Sequence, residues 1–112
     1  MYINLSELKQ RVKILRPRVE EDEVGNLIEH GRSKVTTVWA KVLPYAAKIS
    51  DGYAEKVDEV NYRVVIRYRE DIETTDLLQW RGKTLIISAP PYPLDGGRKY
   101  LVMEAKELVE DG

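Results

Sequence analysis

The sequence predicts an all-β fold, a small barrel or sandwich of five to six short antiparallel strands. Three observations carry that reading. Apolar residues alternate with polar ones at period two, β-branched and aromatic residues fill the alternating stretches, and turn residues separate them. With 112 residues the chain suits a single domain, 1–112, with one apolar core.

Taken in order, Ser6 through Lys9 reads as a first helical turn with Ser6 as its cap. RVKILR at 11–16 puts Val12 and Ile14 inside and Arg11 and Lys13 outside, and Pro17 is expected to close the strand. Residues 18–34 hold an acidic run and two glycines, which suits an exposed loop or the loose tip of a hairpin, and places His30 in an exposed loop. VTTVWAKVL at 35–43 sets Val38, Ala40 and Val42 on one face and Thr37, Trp39, Lys41 and Leu43 on the other, with Pro44 expected to end the strand. Residues 45–59 suit a short helix or a long ordered loop, Gly52 opposing an uninterrupted helix. The strongest alternation is VNYRVVIRYR at 60–69. Val60, Tyr62, Val64, Ile66 and Tyr68 share the inner face, and Asn61, Arg63, Val65, Arg67 and Arg69 the outer one. LLQWRGKTLIISA at 77–89 reads as a hairpin turning at Arg81-Gly82, with the glycine supplying a positive φ. PYPLDGG is expected to hold nothing regular, and a last strand spans about 98–108.

Composition excludes several chemistries. Lys and Arg total 18 against 19 for Asp and Glu, so a protein that coats nucleic acid with its whole surface is not expected. The chain has no cysteine, which removes disulfides, thiolate zinc sites and Cys nucleophiles, and the single His30 leaves no His-rich metal site. Apolar runs such as Leu85-Ile86-Ile87 are too short to cross a bilayer, and MYINLSELKQ lacks the apolar core of a secretory signal. A soluble protein without a membrane role, made in the cytoplasm, is the expectation.

The candidate constellations are few. Glu20-Glu21-Asp22-Glu23 with Gly25 and Asn26 faintly resembles a hard-cation loop, but it lacks the alternating spacing and distal Glu that such a loop needs, so a solvated loop is expected. Asp71 and Glu73 could serve as an acid–base pair, and Ser50 with Lys48, or Ser88, as a nucleophile. None has the surrounding signature of a catalytic site, so neither an enzyme nor a bound cofactor or metal is expected. Arg63, Arg67 and Arg69 line the outer face of one strand and are candidate phosphate contacts. The competing reading is pairing with acidic neighbours across strands. Trp39 and Trp80 suit core or subunit-contact anchors, and Tyr45 and Tyr53 suit a subunit interface.

Five phrases in order resemble the phage head–tail joining family, also described as head–tail adaptor or head-closure proteins. They are LKQRVKILRP at 8–17, DEVGN at 22–26, TTVWAKVLP at 36–44, VNYRVVIRYREDI at 60–72, and WRGKTLIISAPPYPLDGGRKYLVMEAKE at 80–107. Ala105 stands where many members carry another small residue, often Cys. The resemblance implies a small β-barrel without catalysis or cofactor. Such subunits form a homo-oligomeric ring below the portal of a tailed phage, extend the DNA channel, help retain the genome and dock the tail. The implied partners are portal or adaptor rings, tail proteins and genomic DNA passing without sequence specificity; the implied place is the virion, assembled in the bacterial host cytoplasm.

Within that frame 45–59 is the candidate channel or subunit-contact segment, because hairpin connections are usually two to five residues long and this one is longer. Tyr45, Lys48, Asp51, Tyr53, Glu55 and Lys56 are its candidate contact residues. Mixed charge, to which Asp58 and Glu59 add, would let DNA slide, whereas a uniformly basic lining would hold phosphates. The alternative for this segment is a surface helix packing Ile49, Tyr53 and Val57 on the barrel. For the whole chain, the alternatives are a tail completion or terminator protein of similar fold, or a free nucleic-acid-binding barrel.

Overall fold

The alternation read from the sequence builds a closed sheet. In a computed structural model, residues 4–50 and 55–108 are described, by backbone alone at 30, 46–50 and 55–59. Among them seven strands follow one another: β1 Gln10–Glu21, β2 Leu27–Ser50, β3 Glu55–Arg67, β4 Leu77–Trp80, β5 Lys83–Ile87, β6 Tyr92–Pro93 and β7 Tyr100–Glu107. Every pairing is antiparallel, in the order β3-β2-β1-β4-β5-β7-β6. A further pairing of β3 with β7, from Asn61↔Lys106 to Arg67↔Tyr100, closes six of the strands into a barrel. β6 continues the other edge of β7 where β5 stops. Closure removes the open edges that would otherwise invite pairing with other chains. Among the described residues no helix is long and apolar enough to cross a membrane.

The inner face is set by the predicted alternation. Val12, Ile14, Ala40, Val64, Ile66, Leu78, Leu85, Met103 and Ala105 are fully buried, and Tyr62, Trp80 and Leu101 nearly so. Burying each large aliphatic side chain contributes on the order of 1.5–3 kcal/mol. The rings of Tyr62 and Trp80 meet edge to face at 5.6 Å, and the Trp80 indole N–H donates to Gln10 Oε1 at 3.2 Å. Val60 departs from the inner-face assignment: it is half exposed, because the β2–β3 pair has already left the barrel there. Val65 points outward yet is buried with Leu8 and Val102, because the N-terminal segment folds across the outside of β3 and β7.

That N-terminal segment forms one 3-10 turn, Leu5–Glu7, and its cap is Asn4 rather than Ser6. Asn4 has the extended backbone that a cap requires. Its side chain accepts from the Ser6 N–H, while Glu7 Oε2 accepts from the Asn4 N–H at 2.7 Å. Lys41 Nζ, 3.0 Å from Glu7 Oε1, ties the turn to β2.

Neither proline ends its strand. β1 continues through Pro17 to Glu21, with register shifts between Ile14 and Leu15 and between Pro17 and Val19 that absorb the irregularity. β2 continues through Pro44, which pairs with Tyr62. Ala40 is the last β2 residue paired with β1, so beyond it one side of β2 has no partner strand and tolerates a missing donor. The loop expected at 18–34 is therefore mostly a paired ribbon with a tight tip at 22–26, and His30 lies in β2.

In place of the helix or long loop expected at 45–59, the described residues 45–50 and 55–59 are likewise a paired ribbon, and 51–54 lie outside the described residues. Tyr45↔Asn61, Ala46↔Val60 and Ala47↔Glu59 extend the barrel register, and Ile49↔Lys56 and Ser50↔Glu55 resume it after an irregularity. Continuation of an established ladder overrides the local helical spacing of Ile49, Tyr53 and Val57. The expected turn at Arg81-Gly82 is present, with φ of 49° and 75°, the two positive values that a two-residue hairpin of this type needs. PYPLDGG does hold short regular pieces, β6 and a 3-10 turn at Leu94–Gly96.

Candidate functional site

Two surface features stand out on the barrel wall. The first is a polar cluster that β2, β3, β6 and β7 bring together on the outer face. Arg63 lies directly across from Glu104 in the β3–β7 register. Its Nε donates to Glu104 Oε1 at 2.8 Å. Tyr45 from β2 donates to Glu104 Oε2 at 2.8 Å, and Tyr92 from β6 donates to Oε1 at 3.3 Å. The Arg63 guanidinium lies 5.4 Å from the Tyr45 ring centroid. Desolvation pushes the Glu104 carboxyl upward, but the bonds from Arg63, Tyr45 and Tyr92 outweigh it and hold the group below its ordinary value. The hydrogen bond to Glu104 also raises both Arg63 and Tyr45. The cluster is a fixed, ionised latch.

The second feature is a groove of about 820 Å3 between the N-terminal turn, β1, β2 and the end of β3. Leu5 and Trp39 form its apolar part, and Lys9, Arg11, Arg67 and Arg69 its charged part. Trp39 projects outward with half its surface exposed, and the Arg11 guanidinium stacks 4.6 Å from the centroid of its ring. A smaller hollow sharing Leu5, Arg67 and Tyr68 adds Arg98 and Lys99. No carboxylate lines either depression among the described residues.

The three arginines of the predicted phosphate row thus have different surroundings. Arg63 is held by Glu104, and Arg69 forks onto Asp71 with two bonds of 2.8 Å. Arg67 is exposed in the groove, with no carboxylate partner among the described residues. Of the segment 45–59, Tyr45 is part of the Glu104 cluster; Lys48, Glu55 and Lys56 lie on the paired ribbon, and Asp51 and Tyr53 fall outside the described residues.

The remaining candidates have structural tasks. Asp71 is lowered to about 2, chiefly by the Arg69 hydrogen bond, so it is ionised and bound rather than poised to exchange a proton. Arg16 forks onto buried Asp76 at 2.9 and 3.0 Å and donates to the Asp71 carbonyl, with Glu73 3.5 Å away, which pins the 69–76 segment against β1. In the acidic tip, Asp22 Oδ1 accepts from the backbone of Val24 at 2.9 Å and Asn26 at 2.8 Å, so its oxygen organises the turn. Among the described residues no three acidic or His side chains converge as a metal site.

Sequence reasoning did not single out Glu104, Lys9, Arg98 or Lys99. Alternation put Trp39 on the face opposite Ala40 and left open whether it anchors the core or a subunit contact; its exposure places it on the outer face. No local pattern marked Glu104, because its partners Tyr92, Arg63 and Tyr45 are 12, 41 and 59 positions away in sequence.

The chain is similar to known proteins over almost its whole length. No curated protein matches it. Protein SF1141 from Shigella flexneri 2a, known from a solution structure, is 25% identical, covering 97% of this chain and 100% of that one, with a TM-score of 0.69. A chain from the virion of a native gene transfer agent particle shares the fold at 15% identity, covering 92% of this chain and 97% of its own, with a TM-score of 0.71. The family of phage head completion proteins matches residues 3–108, spanning the barrel, its two ribbons and the groove. The chain belongs to that family, and its role is that of a structural component of the phage head.

Proposed function

We propose that this head completion protein is a connector subunit: copies form a ring below the portal, extend the DNA channel and present a docking surface for the tail. The observation that carries the reading is the β2–β3 ribbon. It leaves the closed barrel beyond Tyr45 and Asn61 and continues as paired strands to Ser50 and Glu55. A ribbon whose described strands beyond Tyr45 and Asn61 pair only with each other suits contact with a channel or a neighbouring ring. Tyr45, Lys48, Asp51, Tyr53, Glu55 and Lys56 are the candidate contacts, with charges of both signs that would not hold passing DNA in place. Among the described residues Arg67 is the phosphate candidate of its row with no competing carboxylate, whereas Arg63 and Arg69 would first have to release theirs. The partners are then portal or adaptor ring, tail protein and further copies of the chain, within the virion and after assembly in the host cytoplasm.

Deleting 48–56 tests this reading. Val57 and Asp58 would then connect Ala47 to Glu59, which already face each other, so the barrel should still fold. Particles carrying the shortened chain should fail in tail attachment or lose packaged DNA. Normal yields of infectious particles from a folded deletion would refute the ribbon's role.

A further inference from the structure

The tip of the β1–β2 ribbon, where Glu20, Glu21, Asp22 and Glu23 follow one another, and the basic groove match each other in charge and in apolar content. Beyond Leu15 on β1 and before Ala40 on β2 the two strands pair only with one another, and past Arg16, which is tied to Asp76, they run on as an exposed two-stranded ribbon. Such ribbons are marginal in water without a surface to pack on. Residues 18–29 carry five carboxylates and one arginine. Val19, Val24 and Leu27 are 54%, 81% and 75% exposed on the same segment. The groove has the opposite charge, with Lys9, Arg11 and Arg67 beside an exposed Leu5 and Trp39. The exposure of Val24 and Leu27 shows that a chain's tip does not occupy its own groove.

We propose that the acidic tip of the β1–β2 hairpin docks in the basic groove of a neighbouring copy. Val24 and Leu27 cover Leu5 and Trp39, while Glu21 and Glu23 face Arg11 and Arg67. A tip on one copy and a groove on the next make a heterologous contact, the kind that propagates around a ring when the rotation closes. Complementary charge fixes its register, and apolar burial its persistence. A DNA backbone would also satisfy the cations, but it would leave Trp39 and Leu5 wet and the acidic tip unexplained. The inference rests on the reading of the chain as a ring subunit and adds the contact that builds the ring.

The test is disulfide trapping with the full-length chain at high concentration, which is clean because the chain has no cysteine of its own. A mixture of Val24→Cys and Thr37→Cys chains should give heterodimer about tenfold above either homodimer, since charge complementarity orients the encounter. Glu21→Lys with Glu23→Lys in the Val24→Cys chain should abolish trapping, and Arg11→Glu with Arg67→Glu in its partner should restore it. No heterodimer excess, or trapping indifferent to both reversals, overturns the contact. Groove reversal that abolishes binding of short duplex DNA, with tip reversal leaving trapping unchanged, also overturns it and makes the groove a nucleic-acid surface. Amine-reactive crosslinking of the unmodified chain on portal rings separates this from the parent reading. Multimers there without the disulfide pair discard only this contact; their absence as well discards the ring.

Discussion

Glu104 holds the outer face of the barrel together, joining β7 to Arg63 on β3, Tyr45 on β2 and Tyr92 on β6. Its Glu104→Ala variant strands no buried charge, because the Arg63 side chain is 35% exposed and can hydrate. The expected cost is therefore about 1 kcal/mol, between an exposed ion pair and a charged hydrogen bond. It should appear as a lower urea midpoint with an unchanged slope; an unchanged midpoint would mean that the cluster is ornament. Acid should act on the same kind of bond. Asp71, from an ordinary 3.8, is held at about 2 by Arg69, and Glu104 is also held low. A depressed carboxylate contributes stability that is complete above its unfolded value and disappears as pH falls through its folded one. The urea midpoint should thus decline as pH drops from about 4 to about 2, and Asp71→Asn should flatten part of that decline. Equal declines in the variant and the parent would contradict the Asp71 assignment.

At the scale of elements, the β4–β5 hairpin depends on two residues with positive φ, and Gly82 at 75° is the one that cannot take a side chain without strain. A Cβ there meets no atom within 4 Å, so Gly82→Ala isolates backbone strain and should cost about 1 kcal/mol in thermal or urea unfolding. A neutral result would place the turn in another geometry. This hairpin was legible in the sequence because its turn chemistry is local. The same holds for the inner faces of β1 and β3, where Val12, Ile14, Tyr62, Val64 and Ile66 alternate over enough residues to fix a period. Residues 45–59 were not legible, since Ile49, Tyr53 and Val57 fit a helix while the ladder begun at Ala40↔Ile66 decides the outcome. The prolines misled for a related reason. Whether a missing N–H breaks a strand depends on which side has a partner, and neighbouring residues do not reveal that.

For the whole molecule, the decisive event is the pairing of β3 with β7, which turns a sheet into a barrel and leaves two ribbons, β1–β2 and β2–β3, as its projections. Alternation alone separated Trp39 from the face of Ala40, but the groove it shares with Arg11 and Arg67 exists only after β1, β2 and the end of β3 are assembled. The Glu104 cluster has the same origin in long-range register. A closed barrel with two projecting ribbons and a basic groove is suited to contacts between subunits, and that is the claim most open to direct trial. The trial is electron microscopy of portal rings incubated with the full-length chain. A second ring should appear stacked coaxially on the portal, with the β2–β3 ribbons at its bore or on its tail-facing rim. Portal rings that stay bare under saturating chain, or that carry it as scattered single copies, would show that the protein completes the head by some other means.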